Sequence, residues 1–314
     1  MRYLITGGAG FIGSHLAEHL ITHGDQVTVL DLRRPAYRVQ GAFYVQGDVQ
    51  DPALVGPLVK NHDAIFHLAA VVGFARVLGD PFKTITTSLY GTAGVLHYAR
   101  KHHRRVLLTS TSAVYGKTVN GGQPVKESDA SLLGPTTTPS WSYAYAKAAD
   151  ECLALAYHRQ YETPAIIARV FNTVGPRQSA DAGFVLPRFV RQALNGDALT
   201  VHTPGSQTRT FCHVKDVVRG LAELMECDQA VGEVVNIGGT ETISMWDLAE
   251  RVIDATESTS SPLLADAPYT GYDNVTDRTP CLDKAWDLIH YLPRYGLEEM
   301  IDDVVQEHTE RMAA

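Results

Sequence analysis

Apolar residues in the first half of this chain come in short dense runs separated by longer stretches with one polar face. Residues 2–6, 26–30, 42–45, 64–66, 106–109 and 165–169 have the length and β-branched content of buried strands. Between them, segments 14–20, 82–101 and 142–161 space their apolar residues at helical intervals. This alternation predicts an α/β fold, a Rossmann-type doubly wound parallel sheet. Past Gly175 the rhythm changes. Helices are expected at 184–194, 214–226 and 244–255, strands at 199–202, 210–213 and 232–237, a polar loop at 258–262 and an irregular tail after it. The reading is a dinucleotide-binding domain over 1–173, with returns near 211–240, and a smaller C-terminal substrate-binding lobe over 174–314.

The first turn carries candidate chemistry. Gly7-Gly8-Ala9-Gly10-Phe11-Ile12-Gly13 follows the first strand directly, and the second strand ends at Asp31. Strand, glycine-rich turn, helix, strand and acid is the order of a dinucleotide-binding unit. Gly7 permits the tight turn, Gly10 lets the backbone approach a pyrophosphate, and Gly13 lets helix and strand pack closely. Phe11 and Ile12 lie in this turn with the cofactor set, and the free N–H groups and dipole of the helix that follows favour the anion. Asp31 would accept hydrogen bonds from the adenosine ribose, and its charge favours NAD. Arg33 and Arg34 follow closely; they could bind a 2′-phosphate instead, or stand as a solvated basic pair.

Ligands of such sheets bind outside the carboxyl ends of the strands. Asp48-Val49, Leu68-Ala69-Ala70, Thr109, Ser110, Thr111, Phe171 and Asn172 all fall there. Asp48 and Val49 are read as an adenine edge, and 68–70 as backbone lining the cofactor; Thr109 and Phe171 join the cofactor set. Tyr143 and Lys147, four apart on one helix, share a face. A phenol is a poor base at neutral pH because its pKa is about 10. A nearby ammonium stabilises the phenolate and lowers that value. Tyr143 could then take a proton from a sugar or alcohol hydroxyl while hydride leaves the same carbon. Alone, this pair is a pattern that chance often supplies.

Composition narrows the field. The chain has 314 residues, 45% of them apolar, and a net charge of −8, which speaks against a nucleic-acid partner. The basic run Arg100-Lys101-His102-His103-Arg104-Arg105 is expected to be a solvated corner. No apolar run approaches the ~18 residues of a membrane span, and the chain opens on a strand rather than a signal peptide. A cytoplasmic protein with reduced thiols is expected from its four unpaired cysteines. His15, His19 and His23 share a helical face but have no acidic or cysteine companion there, so they are read as exposed and no metal site is expected.

The signposts Thr6-Gly-Gly-Ala-Gly-Phe-Ile-Gly13, His67-Leu-Ala-Ala70, Ser110-Thr-Ser-Ala-Val-Tyr-Gly116, Tyr143-x-x-x-Lys147, Arg169-Val-Phe-Asn-Thr-Val-Gly-Pro-Arg177 and Gly205-Ser-Gln-Thr-Arg209 run nearly the whole length. Together they resemble the extended short-chain dehydrogenase/reductases that act on nucleotide sugars, the NAD-dependent epimerase/dehydratase family. The similarity is greatest to the branch holding UDP-glucose 4-epimerases and UDP-glucuronate decarboxylases. The resemblance implies that Thr111 bonds the sugar 4-OH, Tyr143 is the base, and Lys147 holds the nicotinamide ribose and tunes Tyr143. It implies Asn172 and Arg209 on the diphosphate, Ser112 on the substrate, and backbone near Val185 and Leu186 on the nucleotide base. Arg278 is a second candidate for the diphosphate, or the partner of Asp273 or Asp277 in a salt bridge. The family commonly forms homodimers through helices matching 82–101 and 142–161. Here these carry small and apolar residues on several faces, among them Ala93, Val95, Leu96, Ala148, Leu153 and Ala156, which ordinary core packing would also explain.

The resemblance also frames the outcome of the reaction. Dehydratases of this kind usually place Asp-Glu directly after the threonine, and decarboxylases typically read Thr-Ser-Glu. Here the residues are Ser112 and Ala113. A 4-epimerase needs no further acid, and small residues leave the keto sugar room to turn. The expectation is a UDP-sugar 4-epimerase of UDP-glucose or UDP-glucuronate type, with a UDP-glucuronate decarboxylase as the alternative. A reductase, or a non-catalytic NAD-binding protein, is less expected.

Overall fold

The computed structural model describes residues 1–117, 122–266 and 278–313. Strands β1 (Arg2–Thr6), β2 (Gln26–Asp31), β3 (Phe43–Gln46), β4 (Ala64–His67), β5 (Arg105–Thr111) and β6 (Ala165–Val170) join Val234–Ile237 in one seven-stranded sheet. All its pairings are parallel. From one edge the order is Val234–Ile237, β6, β5, β4, β1, β2, β3. Strand order reverses at β1, which lies between β2 and β4, so a crevice opens above the carboxyl ends of β1 and β4. Helices α1 (Phe11–Thr22), α2 (Pro52–Asn61), α3 (Phe74–Gly79), α4 (Pro81–His102), α5 (Ser142–Tyr161), α6 (Val185–Leu194), α7 (Val214–Glu226), α8 (Met245–Ala255), α9 (Asp283–Ile289) and α10 (Leu297–Ala313) complete the frame.

Both faces of the sheet are covered, which is why its strands read as continuous apolar runs. Ile5, Val29 and Phe66 face Leu16 and Leu20 of α1 and Val217 and Leu221 of α7. Leu4, Leu30, Ile65 and Val106, one pleat along, face Val55 and Val59 of α2 and Val95 and Ala99 of α4. A separate core joins Leu186 and Phe189 of α6, Leu248 and Val252 of α8 and Ile301 and Val304 of α10.

Several local expectations change. Helix α2 is hidden in the sequence by Gly56 and Pro57. It forms because Asp51 caps it through Ala53 N–H at 2.9 Å, Pro52 suits its first turn, and Gly56 makes room for the Tyr98 ring. The tail holds α9 and α10. Segment 210–213 splits around Phe211: Thr208–Thr210 pairs antiparallel with Thr242–Ser244, and Cys212–His213 pairs parallel with Thr173–Val174. The polar loop ends where Pro262–Ala265 pairs with Leu199–His202. The basic run is not simply solvated, because Arg104 donates to Lys60 O at 3.0 Å and Arg105 pairs with Asp228 and donates to Met225 O.

His15 is a further correction. It is 7% exposed and donates from Nε2 to Pro176 O at 2.9 Å, so α1 turns it toward the second half of the chain. Burial pushes it down to about 4, from an ordinary 6.5. The unfolded chain therefore binds the extra proton first. Stability from this site is complete above about pH 6.5 and is lost as pH falls toward 4. Denaturant unfolding at neutral and mildly acid pH should show His15→Gln losing less stability on acidification than the wild type. Equal losses would exclude His15 as a contributor; His67 and His213, also lowered, act in the same direction.

Candidate active site

The glycine turn forms a cradle at the start of α1. Gly7 has φ +73°, and a Cβ there would lie 2.8 Å from the backbone of Ala69. A Cβ on Gly13 would meet Gly8 Cα at 2.5 Å and Gly7 O at 2.6 Å, so turn and helix pack through backbone alone. Gly10 is the N-cap with ordinary extended geometry; its added Cβ would meet only Gly7 O, leaving the outer side open. The first turn of α1, containing Phe11 and Ile12, has neither an acidic residue nor a side-chain cap. Its N–H groups suit a pyrophosphate. Asp31 receives Ala9 N–H at 3.1 Å and Arg33 N–H at 2.9 Å, which fixes its carboxylate at the crevice rim. Arg33 and Arg34 are exposed.

Other cofactor candidates divide by orientation. Asp48 accepts Gln50 N–H at 2.9 Å, and the Val49 side chain is buried against Gly91, leaving only its backbone for an adenine. Leu68 and Ala69 are fixed beside Gly7 by Leu68 N–H to Thr6 O and Ala69 N–H to Thr6 Oγ1, with Ala70 next along the chain. Thr109 donates to His67 O at 3.1 Å. Phe171 is a core residue near Tyr115, with Ala148 of α5 packed against the same cluster.

Tyr143 and Thr111 meet at the ends of α5 and β5, with Lys147 one turn along α5. Thr111 hydrogen-bonds the Tyr143 hydroxyl and accepts Ala113 N–H at 3.2 Å. Burial pushes the Tyr143 phenol up to about 12, and the Thr111 bond opposes this. Without a further positive charge, Tyr143 therefore rests protonated. Lys147 is 2% exposed, and among the described residues its Nζ has an ion pair to Asp150 at 3.5 Å but no hydrogen bond. A buried ammonium with hydrogen bonds to spare, one helical turn from a phenol, suits a ribose hydroxyl and a reacting alcohol.

The substrate candidates lie on other elements. Arg278 approaches Ser112 Oγ at 3.5 Å and donates to Gly116 O at 2.9 Å. Burial pushes it down to about 10, with Arg209 adding repulsion. Its Nε lacks a partner among the described residues; Asp273 and Asp277 lie outside them. Two guanidiniums this close suit an anion. Asn172 donates to Thr210 O at 3.0 Å, and Arg209 donates to Thr208 O, so both are seated on the strand Thr208–Thr210. Val185 begins α6, and Leu186 is buried in the core.

Behind the site lies a network that the motifs did not indicate. Glu151 holds Arg169 at 2.8 Å and accepts from Ser110, next to Thr111. Arg169 also donates to Glu127 O, whose carboxylate receives Asn236 N–H at 2.8 Å. The signal was present in part: Glu151 is four residues past Lys147, hence on its face. No group of described residues forms a metal cluster, and no described helix is long and apolar enough to cross a membrane.

Comparison with known proteins agrees with this geometry. Residues 3–238 match the family described as NAD dependent epimerase/dehydratase. The chain is 35% identical to UDP-N-acetyl-alpha-D-glucosaminuronate decarboxylase of Bacillus cytotoxicus, covering 97% of each. It is 37% identical to UDP-glucuronic acid decarboxylase 6 of Arabidopsis thaliana, over 95% of this chain and 86% of the relative. A crystal structure of UDP-glucuronic acid 4-epimerase from Bacillus cereus, with UDP-glucuronic acid and NAD, superposes with a TM-score of 0.87 at 25% identity, covering 99% of this chain and all of the other. NAD is the cofactor, and the chain belongs to the NAD-dependent epimerase/dehydratase family.

Proposed function

We propose that the protein is a 4-epimerase of a UDP-sugar, with a UDP-hexuronate as the leading substrate and UDP-glucose next. The observation that carries this reading is the set Thr111, Tyr143 and Lys147 with Ala113, rather than an acid, in the turn after Thr111. Bound NAD would supply hydride uptake and return. Thr111 orients the sugar 4-OH and Tyr143 takes its proton, while Lys147 and the cofactor's charge favour the phenolate. Asn172, Arg209 and Arg278 hold the diphosphate, or Arg278 meets a C6 carboxylate. The keto sugar turns within the space that Ala113 leaves open, and Tyr143 returns the proton on the other face.

A second reading is decarboxylation to a UDP-pentose, and similarity to known proteins favours it over epimerisation. It is supported by the decarboxylase activity named for the Bacillus and Arabidopsis relatives and by the buried cation beside Ser112. Incubation with NAD and either UDP-glucuronate or UDP-glucose, followed by product NMR, decides between them. C4 epimers without carbon dioxide support epimerisation. Carbon dioxide with a UDP-pentose replaces it by the second reading, and no product from a panel of nucleotide sugars sinks both.

We also propose a homodimer through α4 and α5. Val95 and Leu96 belong to the core and drop out of the expected face, but Phe82 and Tyr90 on α4 and Tyr145 on α5 are exposed. Light scattering should give twice the 34.3 kDa chain mass. Phe82→Asp with Tyr90→Asp should halve it; a monomeric wild type rejects the proposal.

A further inference from the structure

Lys147 lies in an unusual pocket. Its ammonium is buried, and the carboxylate that meets it, Asp150 Oδ2 at 3.5 Å, is itself 0% exposed. That same oxygen accepts a hydrogen bond from Ser88 Oγ of α4 at 2.5 Å. Asp150 Oδ1 is buried and has no partner among the described residues. A buried carboxylate with only one bonded oxygen is costly unless a nearby charge offsets it. Here the offsetting charge is Lys147, and Ser88 fixes the rotamer of the carboxylate across the packed α4–α5 face.

We propose that Asp150, held by Ser88, is the positioning residue of Lys147: it keeps the buried ammonium charged and aims it toward the face it shares with Tyr143. The role assigned to Lys147 rests on the proposed function; the seat itself rests on geometry. Other ionisable groups around Lys147 are Glu151 from its own helix and His67 from β4, with Tyr143 one helical turn away. Glu151 is committed to Arg169 and Ser110. His67 is held between Thr6 Oγ1 at 2.7 Å and Thr92 Oγ1 at 3.1 Å, and burial pushes it down to about 3, so it is neutral. Helix α4 turns Thr84, Ser88, Gly91 and Thr92 inward, none of them charged. Asp150 is thus the one carboxylate among the described residues whose only close cation is Lys147. Burial pushes Lys147 down from the ordinary lysine value and Asp150 pushes it back up. Asp150 also raises Tyr143, so its negative charge helps the base only through Lys147.

The test reads Lys147 directly. The full-length protein is labelled with 13C,15N-lysine, the Lys147 signal is assigned with Lys147→Met, and the side chain is titrated by NMR with NAD present and no sugar. Asp150→Asn should move the Lys147 titration to lower pH, and Ser88→Ala should move it the same way by less. On the C4 oxidation, Asp150→Asn should lower kcat by about 10²-fold, as misplacement of a reacting group does, with little change in KM. An unmoved Lys147 titration in folded Asp150→Asn overturns the proposal. If Asp150→Asn does not fold, an unmoved titration in Ser88→Ala does the same. Absence of any sugar chemistry would remove the proposed function yet leave the NMR result decisive for the seat.

Discussion

Tyr143→Phe is expected to lower C4 oxidation by about 10³-fold, within the 10²–10⁴ that a positioned acid–base group contributes. The substitution removes one oxygen from a half-buried ring, so folding and NAD binding should survive. What disappears is the atom that Thr111 bonds and that burial holds protonated, up to about 12, in the resting site. The sign of the pH dependence follows. A base with its proton on must lose it, so wild-type turnover should rise with pH across the neutral range; the variant's residual rate should lack that rise. Single-turnover reduction of NAD, read as absorbance, measures the step apart from product release. A loss smaller than about tenfold in a folded variant that binds NAD would remove Tyr143 from the role of base.

Much of the fold and part of the site could be read from the chain because they depend on local pattern. The cores of β1 and β4, residues 3–5 and 64–66, are apolar since helices cover both faces, and Gly7 and Gly13 stand where backbone meets backbone. What was illegible depends on chain crossings. Ser88 and Asp150 are far apart in sequence and meet only because α4 packs on α5. Arg278 reaches Ser112 from a segment with no periodicity to place it. Position at a strand end located Val49 and Phe171 but did not show that both side chains are buried. Helix α2 was masked because Gly56 and Pro57 argue locally against a helix that Asp51 and the packing of Val55 and Val59 stabilise. The face of α1 misled because polar His15 has a backbone acceptor waiting in Pro176, which no residue-type pattern reveals.

Ala113→Glu is expected to redirect the reaction, on the proposed reading with a UDP-hexuronate. Residue 113 sits in the short turn after β5, half-buried, with its N–H bonded to Thr111. Ser112 beside it touches Arg278, a guanidinium with no carboxylate partner among the described residues. A carboxylate placed here therefore enters a positive region next to the carbon undergoing oxidation. The 4-keto group is an electron sink for loss of C6, and a positioned acid–base group assists the proton transfers that follow. The ratio of carbon dioxide to epimer should rise by about 10²-fold or more, the scale of such assistance. Turning of the ring should slow as the larger side chain fills the space. Ala113→Gln separates these effects: it fills the same volume without a base, so it should suppress the epimer without raising carbon dioxide. If Ala113→Glu still oxidises C4 yet releases no more carbon dioxide than wild type, residue 113 does not set the outcome. The cation at Arg278 then becomes the group that decides what the 4-keto sugar does next.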